Sequence, residues 1–176
     1  WDGSTRVGQK FARGQLLEED PYMTVITFPC GPWGNWGRCN LLKGGETAQT
    51  VIEAREATRP LLAFTDRIIE ERISRGRHVL VEQPLGSEAF DQPEMQKTKQ
   101  LIGNGRLRDC RPHGCQLGYV DEATELPHLK PMRFLTSSIA VYSALDGKKC
   151  GWNHTHQALE GGNRTRKAAR WPHKLD

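Results

Sequence analysis

A cysteine just past one β-branched run and a glutamate closing another are the residues of this chain best suited to chemistry by type and place. Cys30 follows Pro29 and opens a loop, residues 30–45, that holds Gly31, Pro32, Trp33, Gly34, Trp36 and Gly37. A thiol partly exposed among backbone amides of such a loop is in a setting that can favour thiolate, and a thiolate there could act as a covalent nucleophile. The other use of a lone cysteine after a strand is as a small buried hydrophobe. Glu82 ends the run His78-Val79-Leu80-Val81-Glu82. A carboxylate in that place can hold or protonate a ring nitrogen of a base that has left its stack, or it can cap a helix or pair with Arg77. Trp33 and Trp36 offer faces for a base to stack on, or they pack the loop down.

Further along, Cys150, His154 and His156 place three good metal ligands within seven residues, and Cys110, His113 and Cys115 form an earlier cluster. Four of these six could make a tetrahedral zinc site, with Cys115, Cys150, His154 and His156 the expected set. The alternative is a reduced, satisfied polar cluster. Zinc with an open coordination position would permit hydrolytic chemistry; zinc with four protein ligands would contribute folding free energy.

The elements that must position these residues follow from pattern. Residues 22–28 form an apolar, β-branched strand between Pro21 and Pro29, and residues 78–82 form a second. Between them Val51, Ile52, Leu61, Leu62, Ile68, Ile69 and Ile73 recur near helical spacing, which predicts a long helix over 46–75, kinked or split near Pro60. Strand, helix and strand make a parallel β-α-β unit. A shorter helix is expected over 94–103, strand and loop over 107–119, a strand over 132–136, and a helix over 137–145 capped by Ser137 or Ser138. The expected fold class is α/β: a Rossmann-like, mostly parallel sheet flanked by helices and truncated at the N-terminus. In such sheets, ligands meet the carboxyl ends of the strands, where Cys30 and Glu82 fall. The expected organisation is a core over 1–145 with a Cys/His-containing basic tail, 146–176, packed on it.

With 176 residues, 36% hydrophobic and 26% charged, the chain has enough apolar content for one packed domain. No apolar run is long enough to span a membrane as a helix, and the start lacks a secretory signal layout. Five cysteines without regular disulfide spacing suit an intracellular, reducing compartment, cytoplasmic or nuclear. The net charge of +4 concentrates in the tail, where Arg164, Arg166, Lys167 and Arg170 make nucleic acid an expected partner; a solvated terminal helix is the other use of such a run.

These residues also resemble a family. Phe28-Pro29-Cys30 resembles the Pro-Cys nucleophile motif of cytosine-5 DNA methyltransferases, Val81-Glu82-Gln83-Pro84 their Glu-Asn-Val motif, and Lys130-Pro131-Met132-Arg133-Phe134 their Gln-x-Arg-x-Arg strand. Over almost the whole chain it is similar to methyltransferase-like segments of retroelement polyproteins and environmental open reading frames, through Gly76-Arg77-His78, Cys115 to Gly118, Arg133 to Ser138 and Cys150 to His156. The resemblance implies Cys30 as nucleophile, Glu82 holding the base and Arg133 supporting the pocket. It also implies S-adenosylmethionine as cofactor, met by Phe28, Pro29 and Asp2, the last within Trp1-Asp2-Gly3-Ser4, which resembles the family's Gly-Asp-Ile segment. The family's Gly-rich cofactor loop has no counterpart here, so an upstream segment or a second chain is expected to complete that site. A non-catalytic nucleic-acid-binding or assembly module with the same core is the alternative.

Overall fold

The computed structural model describes residues 2–159 and Ala168. The basic tail residues Arg164, Arg166, Lys167 and Arg170 lie outside the described residues.

Helix α1, Arg6–Glu19, precedes the first expected strand; Thr5 caps it, its hydroxyl accepting from the Gly8 amide at 3.1 Å. Strand β1, Met23–Thr27, follows, and then α2, Asn35–Lys43, occupies most of what the Gly, Pro and Trp content suggested was loop. Gly37 permits this: its Cα lies so close to the Pro32 carbonyl that any side chain would collide with it. Helix α3 runs unbroken over Gly45–Ser74 with Pro60 inside it, so the expected split does not occur. Burial of Leu62, Phe64, Ile68, Ile69 and Ile73 against the sheet and α1 offsets the hydrogen bond that Pro60 cannot make. Strand β2, His78–Pro84, continues two residues beyond Glu82. Helix α4, Gln96–Gly103, is held by the buried Asp66 carboxylate, which accepts from the Thr98 amide and hydroxyl, both at 2.7 Å, and from the Lys97 amide at 3.2 Å. Strands β3, Arg108–Cys110, and β4, Met132–Thr136, and helix α5, Ile139–Leu145, complete the elements, with Ser138 capping α5.

The architecture is α/β, with an open four-stranded sheet in the order β1-β2-β4-β3. It is mixed rather than mostly parallel: β1 and β2 pair parallel, whereas β4 pairs antiparallel with both β2 and β3. No α-helix intervenes between β3 and β4, only the short helical turn Gly114–Leu117, so the chain returns through residues 111–131 and β4 enters the sheet in reverse. The pairings leave β1, β2 and β3 pointing one way and β4 the other. The start of β4 therefore lies at the same end of the sheet as the carboxyl ends of the other three, which brings residues 111–131 to the end where Cys30 and Glu82 emerge.

Each face of the sheet has its own core. Val79, Val81 and Leu135 pack with Phe28, Trp33, Leu62, Ile69, Phe90 and Met95, towards α3 and α4. Leu80, Met132 and Phe134 pack with Cys110, Leu117, Tyr119 and Leu145, beneath the 111–131 segment and α5. No described helix is long and apolar enough to cross a membrane.

Candidate functional site

Cys30 begins a tight turn past β1 in which its carbonyl accepts from the amides of Trp33 at 3.1 Å and Gly34 at 2.7 Å. Arg55 of α3 fixes this turn from behind: it donates to the Pro32 carbonyl at 2.9 Å, pairs with Glu88 at 2.5 Å and lies 5.0 Å from the Trp33 ring centroid. Trp33 is fully buried and donates to the Thr58 hydroxyl at 3.1 Å. It anchors the loop and has no face open to a base; Trp36 is the exposed one. Phe28 is likewise a core residue, edge-on to Phe90, while Pro29 beside it is exposed. Asp2, expected near a cofactor, accepts from the amide and hydroxyl of Ser4 at 2.9 and 2.7 Å, just before α1.

Glu82 pairs in register with Thr27 of β1 and Phe134 of β4, and so projects on the Leu80 and Phe134 face. Two residues from the 111–131 segment, Lys130 and Tyr119, lie near enough to interact with it electrostatically. Lys130 precedes β4, with its ammonium 4.1 Å from the Tyr119 ring centroid. The four groups interact. Burial pushes the Glu82 carboxyl up, against the opposing influence of Lys130. Burial lowers the Lys130 ammonium, and the charges of Glu82 and Cys30 resist that. Tyr119 is raised by burial and then by Glu82. Cys30 counts as exposed as a whole residue, yet its thiol is packed closely enough that burial, and then Glu82, push it up. A setting that favours thiolate was expected; burial, and after it the nearby carboxylate, make it one that favours the thiol, and Lys130 offsets this only in part.

Two further features belong to this corner. The Tyr119 hydroxyl is buried with no hydrogen-bond partner among the described residues, an arrangement that costs about 1–3 kcal/mol when nothing meets it. Lys130 has a φ of 30°, in the left-handed region that a lysine rarely adopts. Such strain persists where surrounding contacts over-determine it. Lys130 also donates to the Ala168 carbonyl at 2.5 Å.

Arg133 does not join them. Its partner across the sheet is Gln83, so it projects on the opposite face from Glu82. There it pairs with Asp109 at 3.0 Å and stacks 5.0 Å from the Phe90 centroid, a structural ion pair of the sheet. Glu82 makes no pair with Arg77, whose partner is Asp20.

The second expected cluster does assemble. Ligand atoms of Cys115, Cys150, His154 and His156 all lie within 4.8 Å of one another, and the group could hold a metal ion. The Cys150 sulfur is 3.7 Å from His154 Nε2 and 3.4 Å from His156 Nε2. Tetrahedral zinc with ordinary bond lengths separates sulfur from nitrogen by about 3.6 Å, close to both of these distances. The surroundings suit ligation too. His154 Nδ1 lies 3.0 Å from the Asn153 side-chain oxygen, which leaves Nε2 facing the cluster, and the Cys150 sulfur accepts from the Trp152 amide at 3.2 Å. Of the earlier trio only Cys115 takes part: Cys110 is buried against the Phe134 carbonyl, and His113 accepts from the Cys150 amide at 3.0 Å.

Comparison with protein-family profiles, with curated proteins and with solved structures returns no match for this chain.

Proposed function

We propose that the chain is a methyltransferase-like domain that acts on or binds nucleic acid, receiving an unstacked base between Cys30 and Glu82. The observation that carries this reading is the meeting of Cys30, Glu82, Lys130 and the partnerless Tyr119 hydroxyl at one end of the sheet. A carboxyl whose proton is held tightly by burial can donate to a ring nitrogen, as base-directed chemistry needs, and a cation beside it can stabilise a thiolate when substrate displaces water. Perturbed titratable groups cluster at functional sites, which supports this reading. In this reading the Cys30 thiolate adds to an electrophilic ring carbon, and Glu82 protonates the conjugated ring nitrogen to which the displaced electron pair moves. S-adenosylmethionine is the methyl donor, bound by a cofactor half that an upstream segment or second chain supplies. Zinc is the ion assigned to the Cys115, Cys150, His154 and His156 cluster. Four protein ligands fill a tetrahedral shell, which suits a structural site and speaks against a hydrolytic one.

One observation favours a second reading, a non-catalytic nucleic-acid-binding module: the Cys30 thiol is pushed up rather than down. A single set of titrations separates the two. Fluorescence anisotropy with hairpin duplexes that do or do not contain an unpaired cytosine is expected to show preference for the unpaired base. Glu82→Ala should weaken that preference by about tenfold, the worth of one charge-assisted hydrogen bond. Calorimetric binding of S-adenosylmethionine would favour the enzyme; nucleic-acid binding without it favours the module. Equal affinity for both hairpins, unchanged by Glu82→Ala, rules out base recognition at this pocket.

A further inference from the structure

We propose that a zinc-class ion held by Cys115, Cys150, His154 and His156 is a strut for the pocket, fixing the turn that carries Cys115 and, through Gly114, the backbone of Lys130. The inference rests on the Cys30 and Glu82 pocket being the functional site.

The ligand set is soft and mixed, two thiols and two imidazoles, which suits zinc over magnesium or calcium. The path from the cluster to the pocket is short and made of direct backbone contacts. Cys115 lies in the helical turn Gly114–Leu117. The Gly114 amide donates to the carbonyls of both Leu129, at 2.7 Å, and Lys130, at 3.0 Å. Gly114 is packed so tightly on that segment that a Cβ there would stand 2.9 Å from Lys130 Cβ and 3.2 Å from its carbonyl oxygen. The Gly114 carbonyl accepts from the Tyr119 amide at 3.1 Å, and the Tyr119 carbonyl accepts from the His128 amide at 2.8 Å. One turn thus sets both pocket residues of the 111–131 segment.

The other three ligands lie on 150–156, which has no regular secondary structure of its own. It is tied to the same segment by the Cys150 amide to His113 and, just beyond the ligands, by the Gln157 amide to the Pro127 carbonyl at 2.9 Å. Cross-linking two irregular segments through an ion supplies order that their few backbone bonds do not. Three non-glycine residues of these two segments, Glu125, Lys130 and Trp152, hold the left-handed conformation that such order supports.

The test uses the full chain as purified. Elemental analysis is expected to find one zinc per chain, and cobalt substitution to give thiolate charge-transfer bands with the strong visible absorption of tetrahedral coordination. Metal removal by a chelator should speed amide exchange at least tenfold at Gly114, Tyr119, His128 and Met132, with α3 unchanged. It should also change the rate of Cys30 alkylation, followed by peptide mapping, threefold or more and in the direction that Lys130→Met changes it. Gly114→Ala is the second variant: it leaves all four ligands in place, so it should retain zinc yet reproduce the exchange and alkylation changes, even if the metal-free chain unfolds. Failure to bind zinc at micromolar concentration, or binding whose removal and whose Gly114→Ala counterpart leave exchange and Cys30 reactivity unaltered, overturns the proposal. Neither readout needs nucleic acid or a methyl donor, so loss of the base-binding reading leaves this result standing, and the reverse.

Discussion

At the scale of single residues, the charges around Cys30 oppose one another, and each has a separable effect. Glu82 raises the thiol and Lys130 lowers it. Glu82→Gln should therefore let Cys30 alkylate from a lower pH than in the native chain, and Lys130→Met should delay it to a higher pH. Iodoacetamide rates across a pH series measure both, and profiles that coincide would show that the three groups do not interact. Trp33 makes a different prediction. Truncation of a fully buried tryptophan costs about 3–5 kcal/mol, so Trp33→Ala should lower the denaturation midpoint, whereas a stacking residue would leave it nearly unmoved. Cys30 and Glu82 were legible in the sequence because each follows from the end of a β-branched run. Lys130 was not, because it stands before a strand, a place that meets the pocket only when that strand is antiparallel. Arg133 forms an ion pair with Asp109 instead of lining the pocket for a related reason: one position of register decides which face a strand residue takes, and no pattern in 132–136 announces it.

Elements carry the next level of order. The strands, the long helix and the capped α5 were readable from periodicity, since burial imposes it. Strand direction was not, because the sequence of β4 is the same string whichever way it enters the sheet. Helix α1 was also missed: Val7 and Phe11 are exposed, so its apolar residues do not outline a single buried stripe. Its junction with β1 depends instead on Asp20, which caps α1 with a φ of 39° and binds Arg77 near β2 and the buried Arg72 of α3. Those hydrogen bonds, Arg77 first, hold its carboxyl at about 2. A carboxyl lowered by folding adds stability above its unfolded value, about 3.9, and loses that contribution as pH falls towards about 2. Asp20→Asn, which keeps a side chain tolerant of the left-handed region, should thus be less stable than the native chain at neutral pH. Thermal midpoints of the two should converge as pH drops from about 4 to about 2. A gap that persists at the lowest pH would assign the loss to geometry rather than charge.

For the whole molecule, the decisive feature is where the sheet ends. Strand β1 lies at one edge with β2 as its sole partner among the described residues, so one row of its amides and carbonyls faces outward. Beside it an apolar groove of about 340 Å³ runs between α1, β1 and α3, lined by Phe11, Leu16, Val25, Leu61 and Phe64 among others. Edge strands in stable proteins are usually guarded by a charge, a proline or a bulge. The five residues Met23-Thr24-Val25-Ile26-Thr27 have none of these, and Val25 is 53% exposed. An unguarded edge invites another strand, which is the physical ground for expecting a completing segment on the β1 side of the pocket. Without that segment the same edge should promote self-association, so light scattering of the isolated chain is expected to show mass rising with concentration. Val25→Lys puts a charge on the exposed position, and because the side chain is solvent-facing it should leave the circular dichroism spectrum unchanged while holding the chain monomeric. If native and variant chains scatter alike at every concentration, the β1 edge does not drive association.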